Sequence, residues 1–382
     1  MDGIYGMVPR DKMVPEAVKM RDFYDLKPDA PIYMEEFGFY SLERWQREGH
    51  IAKGENLAKR FGFDTGGFVP AGRLGWCEAA FYPAFEVKVL EDRGDYELAQ
   101  DHAGRHVLYF KGRRSGFMPE YVDHPVKDRK TWEEDVKWRM DPETPGRLDG
   151  FDEEIIRLKA AAAQGRMIRQ SIIGGYMYLR SLMGPVDLLY KFYDDPELIH
   201  ECMQTWLILA DRITGRYQQH ITFEDVFFGE DICYNKGQLI SPDMIREFLF
   251  PYYQQLLINI KRRQLDAARK LHVQLDTDGF SDTVIDLYRE GIGMDYLSPF
   301  EVASNCDVVR TGREYPDLLI RGGMDKRVLA QGREAIDQMV DAILPVMRRR
   351  GGYIPTCDHG VPEEVSFENY MHFRNRLKEF SK

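Results

Sequence analysis

Along this chain the hydrophobic positions change rhythm twice. Up to about residue 60 they are short in period and mixed with polar and aromatic residues. Between 85 and 111 they alternate with charged neighbours: Val87, Val89 and Leu98 flank a turn at Arg93-Gly94-Asp95, and His106 to Phe110 follow. That pattern predicts a small antiparallel ribbon. Residues 118–150, rich in proline and charge, predict a connecting layer with one short helix. From 151 onward strand-like and helix-like stretches take turns. Asp152 is placed to cap a helix ending at Gly165, and 168–173 reads as a buried strand. Asp195-Pro196-Glu197 opens a long helix, and Val226-Phe227-Phe228 is a short strand. Ser241-Pro242-Asp243 opens a helix whose apolar stripe is Ile245, Phe248, Leu249, Tyr252 and Leu256, with a kink expected at Pro251. Strands over 270–275, 295–298, 317–320 and 352–356, helices over 281–290 and 328–349, and a final helix capped by Ser366 complete the pattern.

Strands separated by helices of this length imply a parallel sheet. No G-x-G-x-x-G follows any strand, which counts against a doubly wound nucleotide-binding sheet. The expected fold is therefore α/β: a (β/α)8 TIM barrel with an N-terminal extension that contains the small antiparallel ribbon. Residues 1–150 hold the extension and the first barrel elements, and 151–382 hold the main barrel repeats with the active-site rim, within one structural domain. The 382 residues carry a formal charge of −11 and are 43% hydrophobic, enough to bury a large core and too acidic for a protein devoted to nucleic acid or an anionic membrane. The N-terminal residues lack the layout of a leader peptide, so a cytoplasmic protein is expected. Five scattered cysteines, none in a C-x-x-C pair, argue against a disulfide scaffold.

In such barrels the chemistry sits where strands end, on the C-terminal rim. Nearly every strand end here carries an acid, and acids crowded around one opening need a cation, a proton or a positive substrate. Asp276 and Asp278 lie two apart and face the same way; the rival reading makes one a helix cap near Ser281 and the other a surface ion pair. His359, between a strand and Gly360, suits a metal ligand, a proton donor or a substrate contact. Of Glu230 and Asp231, adjacent on a strand, at most one can enter the opening. His272 is divided between core and site, and Cys233 and Cys357 read as packing.

Residues 229–232 (GEDI), 240–243 (ISPD), 248–252 (FLFPY), 321–325 (RGGMD) and 358–362 (DHGVP) resemble the uroporphyrinogen decarboxylase superfamily, whose members are TIM barrels. The arginine-rich R-Q-A-G-R-Y type motif that holds porphyrinogen carboxylates is missing near the N-terminus. The other branch, the corrinoid-dependent methyltransferases, holds zinc through H-x-C-G and a late cysteine; the matching positions here are Asp276-x-Asp278-Gly279 and His359. The resemblance thus implies a methyltransferase that removes a methyl group from an O-methylated, aromatic small molecule and passes it to the cobalt of a partner corrinoid protein. Zinc or another divalent metal would be held by Asp278 and His359, with Glu230 and Asp276 competing as the third ligand. Asp278, His359 and Glu230 are the expected catalytic residues; Asp231, Tyr234, Asp276 and Asp325 are expected to bind substrate. The alternatives are a metal-free, decarboxylase-like enzyme in which Asp278 and His359 handle protons, and a tetrapyrrole- or corrinoid-binding barrel without turnover. Nucleic-acid and membrane partners are not expected, and the assembly state is open, a homodimer included.

Overall fold

A computed structural model describes residues 8–111 and 119–381. In chain order its strands are β1 (Phe68–Ala71), β2 (Lys88–Arg93), β3 (Tyr96–Gln100), β4 (His106–Phe110), β5 (Glu120–Asp123), β6 (Met167–Ile173) and β7 (Asp225–Gly229). They continue with β8 (Cys233–Tyr234), β9 (Gly237–Gln238), β10 (His272–Asp276), β11 (Tyr296–Ser298), β12 (Leu319–Arg321) and β13 (Tyr353–Ile354).

Seven strands form one parallel sheet in the order β1-β6-β7-β10-β11-β12-β13. Every residue of β7 is buried, as expected of a sheet covered by helices outside and filled within. The sheet curls: Arg169 of β6 lies 5.8 Å from the ring of Tyr296 on β11, three strands away in the sheet order. Residues 32–40 close the gap between β13 and β1. Phe39 pairs with Val361 in a parallel bridge, Cys357 N–H donates to Glu36 at 2.9 Å, and Met34 N–H donates to Asp64 at 2.8 Å. The place of an eighth strand is thus taken by a segment that a backbone bridge joins to Val361 and side-chain bonds join to Cys357 and to the loop before β1.

The base of the barrel is plugged by the helix Pro15–Tyr24. Phe23 and Tyr24 pack edge-on against Tyr296, and Tyr24 donates to Asp225 at 2.5 Å. Asp225 also pairs with Arg169 at 2.6 Å, both nearly fully buried. His272, whose role the sequence left open, lies at this base: its Nδ1 is 2.9 Å from Asp295 and its ring packs on Tyr24. It stands at the end of the barrel opposite the strand C-termini.

The main expectations hold, with corrections at boundaries. The ribbon forms as β2-β3-β4 around Gly94, and gains a fourth strand, β5. Asp195 caps the helix Pro196–Gln218, accepting Leu198 N–H at 3.1 Å, and Ser366 caps Phe367–Lys378. Asp152 does not cap its helix; Gly150 holds that place and Asp152 falls in the first turn. The expected kink near Pro251 is a full break, giving Pro242–Phe248 and Phe250–Arg263, because proline at the second position starts a helix better than it continues one. Helix 328–349 begins later, at Arg333. Strand β1 and the helices Gly175–Met183 and Pro185–Asp194 had no clear sequence signal. The reading of the N-terminus as no leader falls in part on residues 1–7, outside the described residues. Among the described residues no helix is long and apolar enough to cross a membrane.

Candidate active site at the barrel mouth

The C-terminal ends of the parallel strands bring together residues far apart in sequence. Beyond β10 the chain runs Asp276-Thr277-Asp278, and beyond β13 it runs Asp358-His359. Asp278 Oδ2 lies 3.5 Å from His359 Nε2, and both side chains remain partly open to solvent. The other ring nitrogen, Nδ1, is 3.4 Å from the Tyr40 hydroxyl, and the two rings stack at 5.9 Å and 11°. The bond to Asp278 raises the His359 pKa against the opposing effect of burial.

Several residues hold this pair in place. Glu301 accepts the Gly279 N–H at 3.0 Å with one oxygen and meets Lys326 Nζ at 3.2 Å with the other. Asp358 is fully buried and accepts the N–H groups of Val302 and Lys326 at 2.9 and 3.0 Å. It anchors the loop that carries His359. Asp276 lies deeper; Ser298 donates to it, and the Gln274 amide in turn donates to Ser298 at 2.9 Å. Burial, helped by the charges of Asp278 and Asp231 and opposed by the Ser298 bond, pushes Asp276 up to about 6. On the neighbouring strands Asp231 pairs with Arg180, and Arg321 pairs with Glu35 at 2.6 Å while its guanidinium covers the Phe37 ring at 3.9 Å. Trp76 is 60% exposed and lies across Gly229, where a Cβ would meet its ring at 2.7 Å.

The expected residues therefore divide. Asp276, Asp278, His359 and Asp231 gather at the mouth. Tyr234, in the β8–β9 hairpin, has an exposed ring, and its backbone carbonyl accepts Phe280 N–H at 2.7 Å. Asp325 is taken up locally: it caps the helix Lys326–Leu329 and is paired with Arg327 at 2.8 Å. Glu230 turns the other way from Asp231. It is fully buried, and Tyr253 and Tyr288, on helices outside the barrel, donate to it at 2.6 and 2.7 Å. Arg180, Lys326, Arg321 and Glu35 are mouth residues to which the sequence assigns no role. Loops and helix starts carry no period by which to find them.

Burial raises the Glu230 carboxyl to about 7, against the opposing tyrosine bonds. A raised carboxyl pKa means that the native state keeps a proton that the unfolded chain releases above its ordinary value of about 4.5. The group's stabilising contribution is thus present below that value and is lost as pH rises towards 7, by at most about 3 kcal/mol. The thermal stability advantage of the native chain over Glu230→Gln is expected to shrink between pH 5 and 8. An advantage that is flat or growing over that range would show that Glu230 is not proton-bearing at neutral pH.

Two ligands sharing a tetrahedral zinc ion sit about 3.4 Å apart, given metal bonds of about 2.0–2.2 Å. Asp278 and His359 meet that spacing with hard, metal-binding donors. Among the described residues no group of three His, Cys, Asp or Glu is assembled for a metal, so the pair fits as two ligands, with Asp276 close enough for the Asp278 charge to help raise its pKa.

The sequence was also compared with known proteins. The family model described as uroporphyrinogen decarboxylase (URO-D) matches residues 121–380. A uroporphyrinogen decarboxylase from Hydrogenobaculum sp. (strain Y04AAS1) is 21% identical over 186 residues, 48% of this chain and 51% of that protein. The chain thus spans about half the length of the curated relative it matches. A methyltransferase from Methanosarcina mazei shares the fold, with a TM-score of 0.57 at 13% identity over 96% of this chain and 99% of its own. The curled parallel sheet and a family match over more than half the sequence agree: the chain belongs to the uroporphyrinogen decarboxylase family.

Proposed function

We propose that the protein is a methyltransferase acting on an O-methylated, aromatic small molecule, with the cobalt of a separate corrinoid protein as acceptor. The observation that carries this reading is the charge arrangement of the mouth. Among the described residues its cations Arg180, Arg321 and Lys326 are each paired with an acid, Asp231, Glu35 and Glu301. Asp276 and Asp278 remain in excess beside His359. Such a mouth is poorly suited to a porphyrinogen bearing many carboxylates and well suited to a cation or a neutral ring. Family membership and the fold shared with the Methanosarcina methyltransferase support it.

In this reading Asp278 and His359 Nε2 hold a divalent cation, zinc by preference. Such an ion supplies Lewis acidity that polarises the ether oxygen. Tyr40 accepts the Nδ1–H of His359 and so fixes the tautomer that leaves Nε2 free to bind. The oxygen–methyl bond breaks with its electron pair left on oxygen, and the side chains must stabilise that growing negative charge. Lys326, drawn towards Asp358 and Glu301, is the cation beside the Asp278 loop. Trp76 and Phe37 offer flat apolar walls for an aromatic ring.

A second reading draws on the same chain of bonds. Tyr40, His359 and Asp278 already form a continuous path along which a proton can move without a metal. One experiment separates the two. The protein, purified without added metal or chelator, is assayed for metal content and for demethylation of methoxylated benzoates with a cobalt(I) corrinoid protein. About one zinc per chain, with turnover lost on chelation and restored by zinc, is expected. Turnover that survives complete chelation would replace the first reading with the second.

A further inference from the structure

At Glu230 three helices converge on one carboxylate that the proposed chemistry leaves unused. Its Oε2 accepts from Tyr253 at 2.6 Å and its Oε1 from Tyr288 at 2.7 Å. The Tyr253 hydroxyl oxygen also accepts the N–H of Gly175, the first residue of the helix Gly175–Met183. That helix carries Arg180. A Cβ on Gly174 would lie 1.9 Å from Glu230 Oε2, so the end of β6 is shaped around the carboxylate. On the other side the chain turns at once: Asp231 has φ +44°, a left-handed conformation unfavourable to a residue with a side chain. The N–H groups of Glu230 and Asp231 share a single acceptor, the Asp276 carbonyl, at 2.9 and 3.1 Å.

We propose that Glu230 is a positioning residue that sets both halves of the Asp231–Arg180 pair, an assignment of role that rests on the mouth being the substrate site. It fixes Asp231 through the left-handed turn that follows it. It fixes Arg180 through Tyr253 and the start of the helix Gly175–Met183.

The test uses the full chain as Glu230→Gln, Asp231→Asn, their double variant and Tyr253→Phe. Hydrogen–deuterium exchange is followed at residues 175–180 and 230–232. Glu230→Gln should speed exchange in both segments by about tenfold, and Tyr253→Phe in the first alone, with the central strands unchanged. In demethylation of a methoxybenzoate with a corrinoid protein, Glu230→Gln should raise KM by about tenfold with kcat within about twofold. The double variant should then be no worse than Asp231→Asn, as expected of residues acting through one pair. Unchanged exchange at 175–180, or KM penalties that multiply in the double variant, would overturn the assignment. If no methoxylated donor is turned over, the proposed function fails, while the exchange measurements still decide the role of Glu230.

Discussion

Replacing Asp278 with alanine is expected to lower turnover by about a thousandfold, the size of effect seen when a general acid–base or metal-holding group is removed. The fold should survive. The side chain is 43% exposed and, among the described residues, its close partner is His359 at 3.5 Å; the loop around it is held by the Gly279 N–H to Glu301 bond instead. Circular dichroism and Tm should therefore match the native protein within about 2 °C, as for an exposed substitution. His359→Ala should give a similar loss. The double variant should be little worse than either alone, because the two side chains act as one unit. Turnover of Asp278→Ala within about threefold of the native rate would remove the site from the mouth, whichever reading of its chemistry is taken.

The largest effect on stability is expected at the opposite end of the barrel. Asp225 has a fully buried side chain and Arg169 is 5% exposed, at 2.6 Å from it. The guanidinium also lies over the Phe68 ring at 3.9 Å and near Phe227 at 5.6 Å. Asp225→Ala would leave this charge enclosed by aromatic carbon without its counter-ion, at a cost of about 3–5 kcal/mol. For a domain of this size that corresponds to a fall in Tm of about 5 °C. Replacing both residues with apolar ones, Arg169→Met with Asp225→Leu, should restore most of the loss, since the cost comes from the unpaired charge. A Tm for Asp225→Ala within about 1 °C of native would show that the guanidinium finds another partner or reaches water.

Much of this molecule was readable in advance. The alternation of strands and helices from residue 151 carried the barrel, because a strand buried on both faces and an amphipathic helix have unlike periods. The two-residue spacing of Asp276 and Asp278 placed both on the mouth side, and the position of His359 after a strand brought it to Asp278. The adjacency of Glu230 and Asp231 allowed only one of them into the mouth; the structure admits Asp231. Strand β1 escaped notice since Phe68-Val69-Pro70-Ala71 is short and contains a proline. Asp325 was over-read: an acid just before a helix is as good a cap as a ligand. Arg180 and Lys326 were invisible for a different reason. Each reaches the mouth from a helix or loop, where neighbours in space are set by tertiary packing and leave no mark in local spacing.

The segment 32–40 that completes the barrel also imposes an order in time. Its partners lie 321 residues away at Cys357 and 319 away at His359. During synthesis Tyr40 emerges long before anything it touches at the mouth exists. The central strands can pair with near neighbours as they appear, but the seam between the two ends of the sheet must wait, and contacts of such long separation form slowly. Glu36, Phe37 and Tyr40 would stay without these late partners through most of that interval, a stretch for a chaperone to shield. The Asp278–His359 pair and the tyrosine stacked on it are thus expected to be the last part of the protein to take shape.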